Sequence, residues 1–118
     1  MKDRSPSIVI IGGKYLGCSV LQYLHTKKID VPLVIPRKDD NGTDDIFPSI
    51  IKLCRSLGVK HQKQTQINSL NLLKKYKPDL ILSLENNRII PSSWIKYMQK
   101  YGQIINIHFS PLPAYAGY

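Results

Sequence analysis

The stretch from Ile104 to Gly117 (Ile-Ile-Asn-Ile-His-Phe-Ser-Pro-Leu-Pro-Ala-Tyr-Ala-Gly) does most to narrow what this chain can fold into. Ile104, Ile105 and Ile107 are β-branched and favour a pleated strand. Asn106 and His108 stand two apart, so a strand projects them from one face, with Ile105 and Ile107 on the other. Pro111 and Pro113 have no N–H to give a ladder, which predicts that the strand stops soon after His108. A hydrogen-bonding amide and a titratable imidazole therefore reach the end of a buried strand together. In open α/β sheets that end is where ligands bind.

The rest of the chain supplies a sheet for that strand. Ser7 to Gly12 is an apolar run ending in glycine, as expected of a strand buried on both faces. Gly12 to Gly17 turns the chain into a helix whose buried stripe is Gly17, Cys18, Val20, Leu21 and Leu24. Lys14 stands where a dinucleotide fingerprint needs its middle glycine, and Cys18 where a Walker loop needs lysine. Two readings stay open for this turn: a tight strand-to-helix connection, or backbone N–H groups that with Lys14 hold an anionic part of a substrate. Val31 to Pro36 is the second strand, followed by an exposed polar loop, Arg37 to Asp45, in which Arg37 or Lys38 is a candidate substrate contact. Phe47, Ile50, Ile51, Cys54 and Leu57 recur at helical spacing, closed by Gly58, and Val59 to Gln62 reads as a short edge strand. Ser69 is the predicted cap of a helix bearing Leu70, Leu73 and Tyr76, broken at Lys77-Pro78-Asp79. Leu80 to Leu84 is the next buried strand. Ser92 or Ser93 is the predicted cap of a last helix with Trp94, Ile95, Met98 and Tyr101 on its apolar side, ended by Gly102. Alternating strands and helices predict an open parallel sheet with right-handed crossovers and helices on both faces.

Asn106, His108, Ser110, Leu112, Pro113, Tyr115 and Gly117 resemble the Asn-x-His-x-Ser-x-Leu-Pro-x-Tyr-x-Gly signature of the formyltetrahydrofolate-dependent formyltransferases. Lys77 to Ile81 and Arg88 to Pro91 are also similar to that family, whereas Glu85-Asn86-Asn87 departs from the small or aromatic residues common there. The resemblance implies a Rossmann-like fold and formyl transfer from 10-formyltetrahydrofolate to an amine such as that of a methionyl-tRNA or an amino-sugar nucleotide. It implies Asn106 and His108 as catalytic residues and Arg88, Ile89 and Ile90 as the loop that holds the pterin. By the same resemblance Gly12, Gly13 and Lys14 lie beside the acceptor. The family's third catalytic residue, an Asp, lies further along than Tyr118. Residues 1–118 are therefore expected to be the amino-terminal part of a formyltransferase catalytic domain, catalytically poor by themselves. Two alternatives stand beside this: a non-catalytic truncated homologue, and a module that binds folate or nucleotide without turnover.

Composition narrows the function classes. A chain of 118 residues, 42% apolar and 21% charged, is expected to form one globular domain. No apolar run approaches the ~18 residues of a membrane helix, and Ile8 to Ile11 is too short for a signal peptide, so a cytoplasmic protein is expected. The formal net charge of +9 fits a polyanionic acceptor and equally a surface of scattered lysines. Cys18 and Cys54 read as small core residues. His25, His61 and His108 lack ligand spacing, so no metal is expected.

Overall fold

The computed structural model describes residues 5–43, 48–62 and 70–109. β1 (Ser7–Gly12) is buried along its whole length, as its unbroken apolar run requires. It is followed by α1 (Lys14–Thr26), β2 (Asp30–Pro36), α2 (Ile50–Leu57), α3 (Leu70–Tyr76), β3 (Leu80–Leu84), α4 (Ser92–Tyr101) and β4 (Gln103–Ile107). All pairings between these strands are parallel and their order is β2-β1-β3-β4. The order reverses at β1, which places a topological switch point between β1 and β3.

Each strand of the centre feeds two cores because successive side chains alternate between faces. Ile8 and Ile10 pack with Leu21 and Leu24 of α1 and Ile50 and Cys54 of α2. Val9, Ile11 and Ile81 pack on the other face with Leu73 of α3 and Trp94 and Met98 of α4. Helices therefore cover both faces of an open parallel sheet, the Rossmann-like architecture expected. Asp79 fastens the amino ends of β1 and β3: its amide donates to the Ser7 carbonyl, and its carboxylate accepts from the Ser7 amide, each at 2.8 Å.

Several local expectations change in the structure. The segment around Val59 to Gln62 is no strand of its own but a single parallel bridge, Val34 with His61, made by the Val34 and Gln62 amides. Pro91, not Ser92 or Ser93, is the N-cap of α4. Its φ of −61° and ψ of 145° are extended, and its carbonyl accepts from the Trp94 and Ile95 amides, so both serines fall inside the first turn. Ile95 and Tyr101, expected on the buried stripe of that helix, are 44% and 56% exposed. Gly58 does close α2 in the left-handed conformation, with φ 74°. Phe47, Ser69 and Ser110 to Gly117 lie outside the described residues.

β4 is the edge of the described sheet rather than a buried central strand. Among the described residues it has a strand, β3, on one side only, and four of its five residues are exposed. No helix among the described residues is long and apolar enough to cross a membrane, and no group of metal-ligating side chains is found among them.

Candidate active site

The carboxyl ends of all four strands are tied together at Leu84 and Glu85. The Gly13 amide, just past β1, donates to the Leu84 carbonyl at 3.0 Å. This crossing is possible because residue 12 is glycine: its φ is +130°, and a Cβ there would sit 1.9 Å from the Leu84 oxygen. The Glu85 amide donates to the Ile107 carbonyl at 3.0 Å, joining β3 to β4. The Arg37 guanidinium, at the end of β2, donates through Nη1 to the Glu85 carbonyl. Through Nε and Nη2 it also holds Asp39, and that bond keeps the Asp39 carboxyl below its ordinary pKa.

Asn106 and His108 lie on the α3/α4 side of this platform. The register sets Ile104 opposite Ile81 and Asn106 opposite Ser83, so Ser83, Ile104 and Asn106 share the face that Ile81 buries. All three line a cavity of about 650 Å³, joined by His108, Lys38, the loop from Asn86 to Ile90 and Ile95. The spacing of Asn106 and His108 thus brings both to one cavity at the carboxyl end of β4, though from an edge position.

The loop that follows β3 is preformed. Asn86, 8% exposed, closes it on itself: its Nδ2 donates to the Arg88 carbonyl and its Oδ1 accepts from the Arg88 amide, each at 2.9 Å. Arg88 donates through Nε to the Pro36 carbonyl at 2.8 Å, and burial pulls its pKa below the usual value. Its guanidinium is thus an anchor between β2 and the loop as well as part of the cavity wall. Ile89 is 88% exposed at the cavity, whereas Ile90 packs on the α3/α4 core.

Gly12, Gly13 and Lys14 stand on the other side of Glu85. The Gly13 amide is spent on Leu84, so the reading of this turn as a set of open anion-binding amides loses that donor. Lys14 lines a separate cavity of about 330 Å³ with Tyr15, Leu16, Ser19, Glu85 and Phe109. Of the two loop cations considered from sequence, Lys38 lines the larger cavity and Arg37 holds the strand ends.

Two site residues escaped the sequence reading. Ser83 is fully buried in β3 and borders the cavity, and its hydroxyl has no hydrogen-bond partner among the described residues. Its signal was one polar residue inside Leu-Ile-Leu-Ser-Leu. Glu85 follows β3 with φ 48°, and its carboxylate accepts a bond from the Phe109 amide while approaching His108. Cys18 and Cys54 take no part in the cavities: both are free thiols, pushed up by burial to about 11 and about 12.

A parallel α/β sheet with an Asn/His pair and a preformed loop on one cavity defines a ligand-binding domain of the doubly wound kind. The formyl transferase family profile matches residues 7–118, and the chain belongs to that family. It is 25% identical over 115 residues to the methionyl-tRNA formyltransferase of Fervidobacterium nodosum, an alignment covering 93% of this chain and 36% of that protein. Among solved structures it is similar to an N-formyltransferase from Helicobacter canadensis in complex with folinic acid and dTDP-3-aminofucose. There the TM-score is 0.62 at 25% identity, over 90% of this chain and 36% of the other. Glycinamide ribonucleotide transformylase 1 from Geobacillus kaustophilus shares the fold, with a TM-score of 0.64 at 18% identity over 97% and 63% of the two chains. The chain thus spans about a third of the length of this methionyl-tRNA formyltransferase.

Proposed function

We propose that residues 1–118 form the amino-terminal part of a formyltransferase catalytic domain that moves a formyl group from 10-formyltetrahydrofolate to an amine. The observation that carries this reading is the meeting of Asn106, His108 and the loop from Asn86 to Ile90 on one cavity of about 650 Å³ at the carboxyl end of the sheet. That volume suits a bicyclic ring with its reacting arm. Family membership supports the formyl chemistry, and the folinic acid of the Helicobacter relative supports a folate donor.

The reaction assigns one task to each residue. The acceptor nitrogen attacks the formyl carbon, and the carbonyl electron pair moves onto oxygen. Asn106 donates its amide N–H to that oxyanion, and loss of such a donor raises a barrier by about 3 kcal/mol. His108 takes the proton released by the attacking amine. When the carbonyl re-forms, the bond to the folate nitrogen breaks with its electron pair, and that nitrogen receives the proton from His108. One hydrogen of the amine is exchanged for formyl. The donor's ring lies against Ile89 and Ile90 with Arg88 bracing the loop. The acceptor approaches from the side of Gly12, Gly13 and Lys14, and a net charge of +9 favours an anionic one, a tRNA or a nucleotide sugar.

Titration calorimetry with folinic acid tests the donor site. Ile89 is exposed, so Ile89→Asp leaves the fold intact. Burying a branched side chain is worth about 1.5–3 kcal/mol, so the variant should bind about tenfold more weakly or worse. Equal affinities would remove this loop from the site. Loss of formyl transfer in Asn106→Ala and His108→Ala, assayed with methionyl-tRNA and an amino-sugar nucleotide, tests the chemistry.

A further inference from the structure

Glu85 lines the smaller cavity next to His108, and its backbone and carboxylate are both held in place. Its amide holds Ile107 and its carbonyl holds Arg37. Its Oε1 accepts from the Phe109 amide, which leaves Oε2 4.0 Å from Nδ1 of His108. The Glu85 and His108 side chains are 12% and 21% exposed, and Nδ1 is buried at a distance from Oε2 that is an ion-pair approach and not a hydrogen bond. A pair this enclosed interacts more strongly than one in open solvent. The backbone conformation adds a second sign: φ of 48° is a left-handed value that disfavours a glutamate, and the surrounding bonds hold it there.

We propose that Glu85 is a positioning residue for His108, selecting the tautomer that carries its proton on Nδ1 and so presents Nε2 to the reacting amine. This rests on the reading of His108 as the proton-transfer group. A carboxylate beside Nδ1 favours a proton there, and the nitrogen opposite then has the lone pair that accepts a proton from the substrate. The carboxylate also steadies the imidazolium formed at that moment. The cations around the pair cannot replace it. Lys14 faces Glu85 across the smaller cavity, Arg37 binds its carbonyl, and Lys38 and Arg88 line the larger cavity with His108. Of the groups named, Glu85 alone can accept a bond from the ring's N–H.

The experiment is nitrogen NMR of the full chain labelled at histidine, with His108 assigned by its absence in His108→Gln. In the wild type the neutral ring should be protonated at Nδ1. Glu85→Gln should mix the tautomers, and Glu85→Gly should do so more, in a variant whose residue suits the backbone and therefore folds. In the formyl-transfer assay Glu85→Gln should lower kcat on the order of 10²-fold with KM for the folate unchanged. Ring signals indifferent to both substitutions would overturn the proposal and leave the donor-site test untouched. A tautomer shift in protein whose Asn106→Ala and His108→Ala variants transfer formyl groups as well as the wild type would uphold the positioning and defeat the proposed chemistry instead.

Discussion

Ser83 places a hydroxyl in the middle of a buried strand where no described residue bonds it. A buried hydroxyl without a partner costs about 1–3 kcal/mol, and a ligand in the adjoining cavity is positioned to relieve that cost. Ser83→Ala should therefore move two measurements in opposite directions. The ligand-free protein should melt at the same temperature or higher, while folinic acid should bind several-fold more weakly, by about 1 kcal/mol. A lower melting temperature with unchanged binding would show that the hydroxyl serves the fold. This residue also marks where sequence reading stops. Asn106 and His108 were legible because a two-residue period fixes a shared face whatever the neighbours are. Ser83 and Glu85 depend on strand register and on one carboxylate rotamer, and neither has a periodic signature in the chain. Gly13 misled for a related reason. Its N–H opens the first turn of α1, but only the crossing of β1 and β3 reveals that Leu84 already uses it.

At the scale of elements, apolar spacing told where the helices lie and capping residues told less about where they begin. Strands β1 and β3 coincide with their predicted apolar runs, and the backbone leaves the strand conformation at their carboxyl ends, with φ of 130° at Gly12 and 48° at Glu85. The start of α4 differs because Pro91 supplies the extended backbone and free carbonyl of a cap without any side-chain bond. The start of α2 holds a device hidden from sequence inspection. Ser49 accepts from the Lys52 amide at 3.1 Å, and Asp40, nine residues earlier, receives the Ser49 hydroxyl at 2.7 Å. Asp40 also accepts the Ile51 amide at 3.2 Å and the Gly42 amide at 2.9 Å. A carboxylate at a helix N-terminus meets both unsatisfied donors and the positive end of the dipole. Asp40→Ala should thus cost about 2 kcal/mol, lowering Tm by roughly 6–10 °C at this chain length. Asp40→Asn, which keeps an acceptor and loses the charge, should fall between. A thermal melt within 1 °C of wild type for the alanine variant would refute the cap.

For the whole molecule the decisive asymmetry is between the two edges of the sheet. On one side β2 is bridged by the segment at His61, whose neighbours use the Val34 amide and carbonyl. On the other, β4 has no described strand beyond it and shows Ile105 and Ile107, 43% and 38% exposed, with Phe109 at 68% following. A groove of about 560 Å³ runs along this strand and α4, lined by Ile95, Met98, Gly102, Ile104 and Ile105. An exposed, apolar edge is a template for pairing with another chain, and its open N–H and C=O groups accept a second copy strand to strand. The 118-residue chain should therefore self-associate across the micromolar to millimolar range, as sedimentation would read. Ile105→Lys with Ile107→Lys should lower the average mass toward one chain. These side chains point to the face opposite Asn106 and Ser83, so folinic acid binding should persist in the double variant. A wild-type chain that sediments as a monomer throughout would mean that this edge is already covered.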